Sequence, residues 1–80
     1  MHTELQTLSS KCRELYETVQ RWLRAERMHE AALACKELCE QFPSFVGGWE
    51  AGSFIAQRLG NLPKAREYID RAIASGGQNP

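Results

Sequence analysis

Two stretches of this chain echo one another 34 residues apart without a gap, and no other feature constrains the fold as much. Leu15 aligns with Trp49, Trp22 with Ala56, Met28 with Leu62, Ala31 with Ala65, Cys35 with Ile69 and Leu38 with Ala72. A register held over such a span describes one unit built twice, each copy needing its neighbour to bury its apolar side. Within the copies the apolar residues step by three and four, the spacing of one face of a helix. Ala31 and Ala65 then fall where the two helices of each unit approach closely, and a larger side chain would hold the axes apart.

Four helices follow from the pattern. The first runs from about Thr3, whose hydroxyl and Gln6 form a capping-box pattern, to about Ala25, with Leu5, Leu8, Cys12, Leu15, Val19 and Trp22 as its seam. The second, about His29 to Gln41, turns Ala31, Cys35, Leu38 and Phe42 inward and stops before Pro43, because a residue preceding proline is driven out of helical geometry. The third spans about Ser44 or Phe45 to Leu59, with Phe45, Trp49, Ser53 and Ala56 on one face. Gly47 and Gly48 are its weak point, each costing roughly 1 kcal/mol relative to alanine. Either the helix begins as late as Gly48, or another backbone passes close by. Gly60 closes it, Asn61 caps the fourth helix, and Pro63 is tolerated in the first turn. Leu62, Ala65, Tyr68, Ile69, Ala72 and Ile73 form the last apolar stripe, and Gly76 to Pro80 reads as an exit linker.

Composition sets the limits on function. Ten basic and ten acidic side chains balance, so no strong field points to nucleic acid or to an anionic membrane. No apolar run is long enough for a membrane span, no secretion-signal pattern opens the chain, and a cytoplasmic location is expected. Three cysteines without a C-x-x-C motif fit reduced, buried thiols better than a disulfide framework. His29, Cys35 and Cys39 are the nearest approach to a metal cluster, but at about 100° per residue His29 points some 120° away from Cys35, so the three cannot converge on one zinc. No acid, histidine and nucleophile set suggests itself, and the glycines form no phosphate loop. Neither enzymatic activity nor a cofactor is expected.

The residues Trp49, Gly52, Ser53, Ala56, Ala65 and Ile69, with Leu15, Trp22, Ala31, Cys35 and Pro43 in the first copy, resemble the tetratricopeptide repeat pattern W-x2-L-G-x2-Y…A-x3-F…P. Gly52 stands where a leucine is usual, Ala56 where an aromatic is, and Thr18 with Val19 replace the leucine and glycine of the first copy. The alternative is an ordinary four-helix hairpin bundle with a chance echo. The resemblance implies an all-α fold of antiparallel helix hairpins in a right-handed α-solenoid of about four helices, in units of about 12–45 and 46–79, forming one small domain.

It also implies a concave groove lined by the first helix of each unit. That places Arg13, Tyr16, Gln20, Leu23 and Arg24 beside Glu50, Phe54, Gln57 and Arg58. Tyr16, Leu23 and Phe54 lie off the main seams, and aromatic residues with arginine are common anchors of recognition surfaces. The competing reading is that Tyr16 and Phe54 pack on each other or on an extra helix. Family members that clamp the C-terminal carboxylate of heat-shock chaperones use a lysine and asparagines where this chain has Tyr16, Gln20 and Ala51, so that partner class is disfavoured.

Three functions remain: a module that holds a protein or peptide in the groove, a self-association domain joined through the last helix, and an N-terminal positioning domain of a longer protein or enzyme. Nucleic acid and membrane are not expected partners.

Overall fold

The computed structural model describes residues 10–77. Among them the protein is all-helical, with α1 Ser10–Arg24, α2 Met28–Gln41, α3 Val46–Arg58 and α4 Leu62–Ala72, followed by a π-helical turn Ile73–Gly77. The expected cap at Thr3 and the seam residues Leu5 and Leu8 lie outside the described residues. Consecutive helices pack in order, α1 also touches α3, and α2 and α4 do not pack on each other. Helix α3 is therefore the centre of the domain.

The two hairpins turn by the same device. After α1 the amide of Glu26 donates to the Leu23 carbonyl at 3.0 Å and that of Arg27 to Trp22 at 2.9 Å. After α3 Gly60 donates to Gln57 at 3.0 Å and Asn61 to Ala56 at 2.8 Å. This paired closure needs a left-handed residue at its centre. Gly60 supplies it at φ 80 without a Cβ to clash, whereas Glu26, its counterpart 34 residues earlier, is forced to φ 62. Asn61 then caps α4 as expected, its side chain accepting from the Lys64 amide at 3.3 Å, with Pro63 in the first turn.

Cys12 and Val19 of α1, Ala31, Cys35, Leu38 and Cys39 of α2, and Trp49, Ala51 and Ile55 of α3 make the buried cluster. Ala65 of α4 is buried too, while Leu15, Trp22 and Phe42 are partly buried. Ile55 departs from the one-sided face expected of α3. A helix with three neighbours buries most of its circumference, so a single stripe understates its core. The α3 helix begins at Val46 and runs through both Gly47 and Gly48. What comes close is side chain rather than backbone: a Cβ at Gly48 would lie 3.3 Å from Leu38 and 3.4 Å from the Cys39 sulfur. The Cys35 thiol donates to the Gly48 carbonyl at 3.2 Å. The Pro43 carbonyl accepts from the Trp49 indole at 2.7 Å and from the Ser75 hydroxyl at 3.1 Å, tying the α2–α3 turn to both later helices.

The stripe expected on α4 is divided. Ala65 is buried and Tyr68 and Ala72 are half-buried, but Leu62, Ile69 and Ile73 are exposed. The helical path also continues past Ala74 through the π-helical turn, which takes in Gly76 and Gly77 of the expected exit linker; residues 78–80 lie outside the described residues. Surface ion pairs join Arg27 to Glu30, Lys36 to Glu40 and Lys64 to Glu67. Such exposed pairs contribute little to stability.

Candidate functional site

Helix α1 presents Tyr16, Gln20, Leu23 and Arg24 along one side, at the three- and four-residue steps that share a face. Helix α3 presents Gly47, Glu50, Ala51 and Phe54 in the same way. The two rows face one another across an open groove of about 440 Å³. Six of the residues assigned to the groove by resemblance are thus brought together: Tyr16, Gln20, Leu23, Arg24, Glu50 and Phe54. Gly47 and Ala51 join them unannounced. Gly47 lies three residues before Glu50 and Ala51 three before Phe54, a helical spacing that puts each on the face of its neighbour.

Arg13, Gln57 and Arg58 are exposed but do not line this groove. Arg58 makes contacts outside it. Its guanidinium lies 5.7 Å from the centre of the Phe54 ring and 3.5 Å from a Glu26 carboxylate oxygen, linking the end of α3 to the α1–α2 turn. Tyr16 is half-buried, edge-on to Phe45 with ring centres 5.2 Å apart. Tyr16 and Phe54 do not pack on one another in the manner of a core pair: Phe54 is 45% exposed.

The groove has an apolar floor and a polar rim of both signs. Leu23, Ala51 and Phe54 supply the floor, Arg24 and Glu50 the charges on opposite walls, and neither charge forms an ion pair among the described residues. Gln20 offers both a donor and an acceptor, which suits a peptide backbone.

Two further cavities lie on the other side of the domain. One of about 330 Å³, between α2, α3 and α4, is walled by Leu33, Ile55, Leu59 and Tyr68. The other, about 220 Å³, brings Cys39, Trp49 and Arg71 together under the Lys36–Glu40 and Lys64–Glu67 pairs. The adjacent Cys35 thiol and the charge of Arg71 lower the Cys39 pKa, partly offset by burial, while the contact with Cys39 and burial raise that of Cys35. Arg71 stacks over Trp49 at 5.1 Å. All three cysteines are buried, and none is joined in a disulfide. His29 is exposed at the start of α2, and among the described residues no group of three or more His, Cys, Asp or Glu side chains is placed to hold a metal ion. Nor is any helix among them long and apolar enough to cross a membrane.

No protein-family model, curated protein or solved structure matches the chain.

Proposed function

We propose that this protein is a tetratricopeptide-like interaction module, cytoplasmic and without enzymatic activity, that holds a peptide or a short helix of another protein in the groove between α1 and α3. The observation that carries the reading is the groove itself: six side chains from two helices distant in sequence meet on one open surface, and of these only Tyr16 and Leu23 also pack against the core. An aromatic ring kept 45% exposed at its centre loses burial energy that folding alone would favour. Docking of an apolar side chain against Phe54 and Leu23 recovers it. Arg24 and Glu50 on opposite walls then orient a ligand by charge, and Gln20 reads its backbone. The repeat reading draws support from the 34-residue register, in which Ala31 and Ala65 are both buried and the two hairpins close by the same pair of amide bonds. Buried thiols that form no disulfide fit a reducing compartment.

The test is selection of ligands from a random peptide display library, followed by amide NMR mapping on the whole chain. Selected peptides should shift resonances of Tyr16, Gln20, Leu23 and Phe54, and Phe54→Ala with Arg24→Glu should abolish capture while helix content is kept. Ligands that instead map to the α2–α4 side would refute the assignment.

A further inference from the structure

The outer face of α4 carries Leu62, Ile69 and Ile73, which are 66%, 38% and 57% exposed. Ile73 keeps helical backbone angles, φ −64 and ψ −44, so the three side chains stand on one stripe. The 34-residue register gives that stripe a counterpart on α2, namely Met28, Cys35 and Cys39. There the counterpart is covered: α3 lies across it, and Cys35 and Cys39 are 1% and 4% exposed. The α4 stripe is therefore shaped as a packing face, with apolar side chains larger than the cysteines, and no described helix packs on it.

A second copy could cover this face in two ways. In a head-to-tail contact, α1 of the next copy would sit on α4 as α3 sits on α2. The α3 residues on the α2 side include Gly48 and Ile55, and their register counterparts on α1 are Glu14 and Arg21, both exposed. Laying those charges on Leu62, Ile69 and Ile73 would strip them of water without giving them partners. The remaining arrangement is the stripe against itself.

We propose that the outer face of α4 is an isologous homodimer interface, in which two α4 helices lie antiparallel across a two-fold axis level with Tyr68. In that register Ile69 meets its own copy, Leu62 meets the partner subunit's Ile73, and Arg66 stands level with the partner subunit's Asp70. Arg66 and Asp70 lie on the same flank of the stripe and form no ion pair among the described residues. The symmetry supplies each with an opposite charge twice over. An 11-residue helix is about 16 Å long, so one face against its copy falls short of the roughly 800 Å² per partner of a tight complex. Association is accordingly weak, with a dissociation constant on the order of tens to hundreds of micromolar.

The experiment is sedimentation equilibrium of the full chain up to about 1 mM, with circular dichroism as the control on folding. Wild type should dimerise reversibly, and Ile69→Glu should raise the dissociation constant by about tenfold or more. Arg66→Asp and Asp70→Arg should each weaken the dimer several-fold, about three- to tenfold, while the double variant restores wild-type association within about twofold. The swap tests the register even if a single variant perturbs folding. A wild-type protein monomeric throughout, a dimer untouched by Ile69→Glu, or a charge swap that fails to rescue would each overturn the proposal.

Discussion

Gly52 sits on α3 where the repeat pattern would place a leucine, and the Tyr68 ring fills the space instead. A Cβ built on Gly52 would lie 2.7 Å from two ring carbons of Tyr68 and 2.9 Å from a third. The ring is not free to swing away, since it leans on Trp49 with centres 5.8 Å apart and carries the Lys64 ammonium at 5.8 Å on its face. Two effects oppose one another in Gly52→Ala. Replacing an interior helical glycine gains about 1 kcal/mol of helix propensity. Overpacking against a confined ring costs about 1–3 kcal/mol. The net is a loss of about 0–2 kcal/mol, small in size but opposite in sign to what α3 alone would show. Removing the obstacle exposes the sign: in a Tyr68→Ala background the same Gly52→Ala change should stabilise by about 1 kcal/mol. Urea unfolding followed at the helical circular dichroism band, with an excluded osmolyte to keep the weakest variant folded, completes the cycle. Equal stabilisation by Gly52→Ala in both backgrounds would refute the claim that Tyr68 occupies the leucine space.

The other predictions can be measured on the same protein. Glu26→Gly relieves a left-handed glutamate at the turn where the second unit uses Gly60; it should stabilise by about 0.5–1 kcal/mol after loss of the exposed Arg58 pair, and a lowered melting temperature would count against it. Ala65→Leu forces a branched side chain into a buried helix contact and should cost about 1–3 kcal/mol in denaturant titration, whereas a change of surface size would mean that the contact is loose. Phe54→Ala should cost less than about 1 kcal/mol, because the ring is half exposed, yet remove peptide capture; a loss near 3 kcal/mol would assign the ring to the core. Burial chiefly, with nearby thiolates and carboxylates, pushes the Tyr68 hydroxyl up to about 12. The folded state then holds that proton where the unfolded state has lost it, so stability falls as pH rises from about 10 towards 12, and Tyr68→Phe should flatten that part of an alkaline unfolding curve. Cys12 and Cys35, also raised, lose their stabilising contribution in the same direction from about pH 9 upward, which Tyr68→Phe leaves in place.

Much of the architecture was legible because local rules and the register agreed. Gly60, Asn61 and Pro63 mark the second hairpin by chemistry that acts within a few residues, and each stands in its expected role. The first hairpin was harder, since Glu26 carries no turn signal of its own and is recognisable only as the register counterpart of Gly60. Packing between helices was least legible. Ile55 lies off the seam of α3, and its burial depends on α3 having neighbours on several sides, which no single-helix periodicity reveals. The exchange of volume between Gly52 and Tyr68 crosses a helix pair and leaves no local trace. The groove fell between these cases: helical spacing grouped the residues on each helix, but only tertiary structure showed that Arg58 turns back to Glu26 while Tyr16 leans on Phe45.

The groove and the outer face of α4 differ in what the fold has already spent on them. Around α3, Gly48 and Ile55 lie towards α2, Gly52 meets α4, and the strip of Glu50 and Phe54 borders the groove. A substitution on that strip leaves the other contacts of α3 intact, so binding can be altered there without unpacking the domain. On α4 the division is cruder, because Ala65 and Tyr68 hold the helix to α3 while Leu62, Ile69 and Ile73 stand outward within the same three turns. Charge placed at Ile69 leaves Ala65 in its contact, whereas bulk placed at Ala65 tilts the whole stripe. If the two surfaces act independently, Phe54→Ala should leave dimerisation unchanged and Ile69→Glu should leave peptide capture unchanged. Ala65→Leu, by moving the element that carries one surface against the element that carries the other, should weaken both.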